Sequence, residues 1–199
     1  LTIINQHHHI EITTFRIEKD YIHHRTPESV VFTRSLHEDL KRRDFTINAF
    51  ACDSDGNFID EHHGLDDLNH KIIRCIGDPQ KRFHEDALRI LRAIRFAYSL
   101  GFTIEKETEK ALFRSLPELE SISIERKVDE LKKMLMIKDK NPYAILVYYH
   151  LFPYFDIKAH SSIASALEKA PHDLECKIAC FFFSGSYARK TLKKWHCSK

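Results

Sequence analysis

The sequence predicts an α+β protein, with a mixed piece of short strands and helices up to about residue 78 and an all-helical piece after it. Three observations predict this division. His8–Ile17 is rich in β-branched residues and partly alternates, as a strand does. Asp53-Ser-Asp-Gly-Asn57 is a turn cluster between two short apolar runs, a hairpin signal. After Gly77-Asp-Pro79, alternation gives way to apolar residues at helical spacing, punctuated by Pro117, Pro142 and Pro171.

Taken in order, His8–Ile17 is expected as a strand and Ser29–Thr33 as a second. Between them Tyr21–Pro27 is polar and ends in proline, so it reads as a loop. Ser35–Ala51 carries Leu36, Leu40, Phe45, Ile47 and Ala49 among charges, the pattern of a helix or helix pair. Gly64–His70 reads as a short helix and Ile72–Arg74 as a short strand. Helices follow at Gln80–Leu100, Glu105–Leu116, Ile124–Ile137, Pro142–Leu151, Ser161–Lys169 and Leu174–Phe183. Gly101 is placed to cap the first of them.

The chain has 199 residues, 43% of them hydrophobic, enough for a packed core. Charged residues make up 30%, yet the formal net charge is only +2, so any affinity for nucleic acid must come from local basic patches. Five cysteines, odd in number and widely spread, suit the reduced thiols of a cytoplasmic protein better than a disulfide framework. No apolar run approaches the roughly 20 residues of a membrane span, and no signal peptide is visible. The chain opens on Leu1 and runs almost at once into strand-like sequence, which reads as a fragment of a longer protein.

The segment Arg82-Phe-His-Glu-Asp-Ala-Leu-Arg-Ile-Leu-Arg-Ala-Ile-Arg95 carries the most chemistry. On a helix, Ala87, Ile90, Leu91, Ile94, Ala97 and Tyr98 share one face, while Arg82, Arg89, Arg92 and Arg95 line another. Cations at this spacing repel one another, so the ridge asks for something anionic along it, phosphates or acidic side chains. Asp86 and Arg89 also share a face. An aspartate accepts from an exocyclic amine and an arginine donates to a ring nitrogen. Cytosine and adenine offer that pair of groups; uracil and guanine would leave buried polar groups unpaired. Read in isolation, Glu85 and Asp86 are first-turn acids on a helix dipole, and the arginines a solvated face.

Arg42-Arg43-Asp44 is either an exposed ion-pair cluster or a triphosphate clamp, in which Arg43 grips and Asp44 and Asn48 orient it. Glu11, on a strand among threonines, is by default a solvent-exposed carboxylate and otherwise a candidate metal ligand or base. The pairs within His7–His9, His23-His24 and His62-His63 have no companion at zinc spacing, and Cys176 and Cys180 lie in an apolar helical run, so both sets read as structural. Arg189-Lys190 and Lys193-Lys194 beside Trp195 form a basic patch that suits an RNA backbone or a solvated end.

In these segments the chain resembles the bacterial-type (class II) tRNA nucleotidyltransferases, the CCA-adding enzymes, and the related bacterial poly(A) polymerases. The resemblance rests on Ile10–Arg16, Asp39-Leu-Lys-Arg-Arg-Asp-Phe-Thr-Ile-Asn-Ala49, Gly64–Leu68 with Ile73–Gly77, Arg82–Phe96, and Ser123-Ile-Glu-Arg126 followed by Glu130-Leu131. It covers about residues 10–135; residues 138–199 match only in helical character. It implies part of a nucleotidyltransferase head at 1–78, a helical neck with a nucleotide-selecting helix at 79–137, and part of a tRNA-binding helical body at 138–199.

The resemblance also implies roles. Asp86 and Arg89 would read the incoming base, and Arg43, Arg92 and Arg95 would contact its phosphates and sugar. Arg42, Asp44, Asn48 and Glu85 would support them. CTP and ATP would be substrates, the tRNA 3′ acceptor end the partner, and Mg²⁺ the cofactor. Glu11 would be a third carboxylate beside a D-x-D metal pair. That pair and a G-G-x-V-R-D element are expected upstream of residue 1, which leaves the fragment without catalysis of its own. Where relatives have D-P-x-G-G, this chain has Asp60-Glu-His-His-Gly64, which puts a side chain at a tight turn. A poly(A) polymerase and a non-catalytic RNA-binding scaffold of the same descent are the rival readings.

Overall fold

Strand formation begins at the first residues. The structure, a computed structural model, describes residues 1–5, 8–22, 26–182 and 195. Strands β1 (Thr2–Asn5) and β2 (His8–Glu11) pair antiparallel, as do β3 (Arg16–Ile22) and β4 (Thr26–Phe32). The expected single strand His8–Ile17 is therefore two, interrupted at residues 12–15. The expected loop Tyr21–Pro27 is mostly ladder, because Tyr21 pairs with Pro27 and Ile22 with Thr26. Proline is tolerated there because each strand of a two-stranded ribbon is an edge.

Helix α1 (Leu36–Lys41) is capped by Ser35, whose Oγ accepts from the Glu38 N–H. After a 3₁₀ turn at Thr46–Asn48, strands β5 (Ala51–Cys52) and β6 (Phe58–Ile59) form the expected hairpin. Its turn is held by the Asp53 carboxylate, which accepts from the Asp55 and Asn57 N–H groups. Helix α2 (Gly64–His70) follows, and strand β7 (Ile72–Ile73) pairs in parallel with β8 (Thr103–Ile104), a strand too short to be expected from its pattern.

The largest departure lies between Gln80 and Leu100. The segment forms α3 (Pro79–Glu85) and α4 (Leu88–Leu100), parted at Asp86, which is extended with φ −144° and ψ 101°. Asp78 caps α3 through a bond from the Lys81 N–H, and Gly101, at φ 69°, closes α4. Then come α5 (Lys106–Ser115), α6 (Ile124–Leu135), α7 (Tyr143–Tyr148), α8 (Ser161–Lys169) and α9 (Leu174–Phe182), with 3₁₀ segments at Leu116–Ser121 and Phe152–Phe155.

One hydrophobic cluster runs from Phe45 and Phe83 through Ile90, Leu91 and Ile94 of α4 to Leu131 of α6 and on to Trp195. Packing α4 against β7, β8 and α6 is what places the arginine face opposite the segment 42–50. At the β6–α2 turn, His63 adopts φ 56° in the left-handed region, where the resemblance expects glycine. Gly64 beside it must be glycine, because a Cβ there would lie 2.1 Å from the Thr46 carbonyl oxygen. Cys52, Cys75, Cys176 and Cys180 are free thiols. Among the described residues no helix is long and apolar enough to cross a membrane. The basic residues at 189–194, His7, the His23-His24 pair and Cys197 lie outside the described residues.

Candidate functional site

A cavity of about 750 Å³ opens between the segment 42–50 and α4, closed on a third side by the start of α6. Six arginines line it (Arg16, Arg42, Arg43, Arg89, Arg92 and Arg126) against two aspartates, Asp44 and Asp86. The lining thus has an excess of four positive charges, although the chain as a whole is nearly neutral. Asn48, Ile47, Phe50, Leu88 and Phe96 supply the remaining wall. A partly apolar cleft with convergent cations suits a flat, anionic ligand.

Each charged side chain is held by specific partners. Asp39, buried in α1, accepts from Arg42 at 2.7 Å and 3.0 Å, from Arg43 at 3.5 Å and from the Arg16 N–H at 3.2 Å. Burial pushes the Asp39 carboxyl upward, but the Arg42 and Arg16 hydrogen bonds and the nearby guanidinium charges outweigh it and leave it below its ordinary value. Arg43 also donates to the Asn48 carbonyl at 2.9 Å, with the remainder of its guanidinium partly open to solvent. Asp44 is nearly buried. It accepts from its neighbour's N–H, from Asn48 Nδ2 at 3.2 Å and from Arg92 Nε at 2.7 Å, with Arg92 Nη2 in ion-pair contact with the same oxygen, Oδ2, at 2.7 Å. This charge-assisted contact onto one oxygen joins the segment carrying Asp44 to α4.

The break at Asp86 determines what faces the cavity. With no helical backbone at residue 86, Asp86 and Arg89 are not stacked on one helix face as expected. Asp86 instead caps α4 by accepting from the Leu88 N–H at 3.1 Å, and accepts from Arg126 Nη2 at 3.2 Å and 3.4 Å. Arg89, only 7% exposed, donates to Glu85 at 2.9 Å and to the carbonyls of Arg82 and Arg42. Glu85 also accepts from Arg82 at 2.8 Å, so one carboxylate anchors two arginines. Both Asp86 and Arg89 line the cavity all the same.

Arg95 does not line it. It donates to the buried Glu130 of α6 at 2.5 Å and lies 4.1 Å from the centre of the Phe96 ring, whose edge of the cavity it supports from behind. Glu11 stands exposed on β2, apart from the cavity lining. No group of three or more His, Cys, Asp or Glu side chains able to hold a metal occurs among the described residues. The described residues therefore do not fit a Mg²⁺ site.

Sequence reading gave Arg126 only as part of a neck segment. Its Nη1 is buried beside the cavity without a hydrogen-bond partner, an uncompensated donor of the kind a ligand oxygen would satisfy. Its distance from Asp86 in sequence hid the contact. Arg16, Phe50 and Phe96 were missed for the same reason, since nothing in their local pattern marks a cavity wall.

The comparisons agree with this architecture. The model of the poly(A) polymerase head domain matches residues 1–74, and that of the probable RNA and SrmB-binding site of polymerase A matches residues 101–157. A CCA-adding enzyme of Streptococcus pneumoniae serotype 19F (strain G54) is 53% identical over 126 residues, covering 63% of this chain and 32% of the relative. One from Pediococcus pentosaceus is 56% identical over 126 residues, with the same shares. The crystal structure of the Bacillus stearothermophilus CCA-adding enzyme in complex with CTP matches with a TM-score of 0.77 at 31% identity, over 98% of this chain and 49% of that one. The Thermotoga maritima CCA-adding enzyme complexed with tRNA CCA matches with a TM-score of 0.65 at 26% identity, over 80% and 44%. The chain belongs to the nucleotidyltransferase family of the CCA-adding enzymes and poly(A) polymerases. It spans about a third of the length of the curated relatives it matches.

Proposed function

We propose that this chain is the nucleotide-selecting part of a tRNA nucleotidyltransferase that adds C, C and A to the tRNA 3′ end from CTP and ATP. In this reading residues 1–78 belong to the head, 79–137 form the neck and 138–199 belong to a body that supports the acceptor end of a cytoplasmic tRNA. The observation that carries it is the arginine-lined cavity in which Asp86 and Arg89 stand beside Arg43 and Arg92. Arg43 and Arg92 bind phosphates and sugar, held by Asn48 and Asp44 respectively. Arg42 braces Asp39 beneath them. Arg95 acts through Phe96, keeping that ring against the ligand.

Asp86 accepts the exocyclic amine of cytosine or adenine, and Arg89, held by Glu85, donates to the adjacent ring nitrogen. Uracil and guanine present the opposite groups and would match neither side chain. The described carboxylates do not by themselves build a Mg²⁺ site, and Glu11 would serve only as a third carboxylate beside metal ligands supplied from elsewhere. The chain alone is accordingly silent in catalysis.

The test supplies labelled CTP or ATP with Mg²⁺ to a tRNA lacking its terminal CCA. The 199-residue chain is assayed alone and completed by joining it to the rest of the Streptococcus pneumoniae relative. Two C additions followed by one A in the joined protein, and none in the chain alone, is the expected result. A long A ladder would move the protein to the poly(A) branch. No incorporation by the joined protein would sink the reading in favour of a scaffold.

A further inference from the structure

Away from the cavity, α5 and α7 bring three aromatic rings together at the surface. Phe113 lies 5.4 Å from Tyr149 and 6.0 Å from Tyr148, and Tyr148 lies 4.8 Å from Tyr149, nearly perpendicular to it. Tyr149 is buried, and its hydroxyl donates to Glu109 at 2.8 Å, which fixes the cluster to α5. Burial and that carboxylate push the Tyr149 phenol well above its ordinary range, so it stays a donor. Its two neighbours are open: Tyr148 is 58% exposed and Phe113 is 38% exposed. Aromatic rings held rigidly by their neighbours yet presented to solvent lose little freedom when a flat ligand stacks on them.

The charges beside the rings identify that ligand. Arg114 follows Phe113, and Lys106 and Lys110 precede it at four-residue spacing on the exposed side of α5. Lys110 is paired with Glu107 at 2.7 Å, whereas Arg114 makes no ion pair or side-chain hydrogen bond among the described residues. His150, exposed, follows Tyr149. Three acids share the helix, but Glu105 is paired with Arg74 and Glu107 with Lys110, and Glu109 accepts from the tyrosine hydroxyl, which leaves Lys106 and Arg114 as cations with no ion pair among the described residues. Open rings rimmed by cations form a base-stacking platform with phosphate contacts, the chemistry of single-stranded nucleic acid.

We propose that Tyr148 and Phe113 form a stacking platform for an unpaired base of the RNA substrate, with Arg114 on the adjacent phosphate. This rests on the RNA-handling part of the proposed function and not on its nucleotide selection. The test measures binding of a fluorescent RNA hairpin with a single-stranded 3′ end to the full chain by anisotropy, beside CTP binding in the same preparations. Tyr148→Ala is expected to weaken RNA binding about tenfold, Tyr148→Phe to restore it, and Arg114→Gln to weaken it and flatten its salt dependence. CTP binding is expected to stay unchanged in all three. Because Tyr148 is exposed, circular dichroism of the alanine variant is expected to match the parent. Equal RNA affinity in Tyr148→Ala and the parent, or no RNA affinity in the parent while CTP still binds, would overturn the platform and leave nucleotide selection standing. Loss of CTP binding alone would count against the cavity and not against the platform.

Discussion

Asp86 and Arg126, forty residues apart in sequence, form an ion pair at 3.2 Å across the cavity, joining the break between α3 and α4 to the first turn of α6. The same carboxylate caps α4. Replacing it therefore has two separable effects. Asp86→Ala is expected to lower stability by about 1 kcal/mol through the lost cap. It is also expected to erase the preference for CTP and ATP over UTP and GTP. Urea melts and competitive nucleotide titrations measure the two; intact selectivity would reduce Asp86 to a cap.

Arg92 and Asp44 form the ion pair, Nε and Nη2 on the single oxygen Oδ2, that fixes α4 to the segment below it. Arg92→Ala leaves a nearly buried carboxylate short of its strongest partner, with an expected cost of about 2 kcal/mol. Triphosphate affinity should fall with it. Arg92→Lys is expected to recover part of the charge but not the two-point grip, so affinity returns incompletely. Isothermal titration with CTP distinguishes the two variants.

Glu130 sets a pH dependence. Burial pushes its carboxyl upward, but hydrogen bonds from Lys133 and Arg95 overcome this and hold it below the ordinary glutamate value. A depressed folded-state value contributes stability above the unfolded value, about 4.3, and loses it as pH falls toward the folded value. The stability gap between the parent and Glu130→Gln is thus expected to be largest above about pH 5 and to narrow below about pH 4. A gap that widens on acidification would contradict the assignment.

Cys75 is buried, and burial pushes its thiol up to about 12. Cys52 is exposed on the β5 strand. Brief alkylation at pH 8 is expected to label Cys52 in the folded chain and Cys75 only in denaturant. Peptide mass spectrometry gives both answers.

His63 occupies the left-handed region beside Gly64. His63→Gly is expected to raise stability by about 1 kcal/mol by removing the Cβ strain. Gly64→Ala is expected to be destabilising by more than the roughly 1–3 kcal/mol of ordinary overpacking, because the Thr46 backbone stands in the way. Thermal melts of the two variants should move in opposite directions.

The elements that sequence pattern located well are those whose signals are local. The Asp53–Asn57 hairpin turn, the Gly101 cap and helix α8 (Ser161–Lys169) all announce themselves within a few residues. The break at Asp86 does not, because apolar residues keep helical spacing on both sides of it and neither proline nor glycine marks it. The hydrogen bond from the Leu88 N–H to the Asp86 carboxylate stabilises it, and an aspartate can cap a helix or sit within one. The same limit hid Arg126, whose place at the site is fixed by the packing of α6 on α4, and separated Arg95 from the arginine ridge by giving it Glu130.

Helix α6 touches two consequential points within little more than one turn: Arg126 holds Asp86, and Glu130 holds Arg95, which backs the Phe96 ring. The helix is thus a lever with one arm on Asp86 and the other on the Phe96 side of the cavity wall. A load on its far end, where Leu135 accepts from Lys177 of α9, would arrive at both arms together. In such an arrangement part of the site's geometry is set from outside α4, and drift in α6 would shift Asp86 and Phe96 while every arginine of α4 stayed in place.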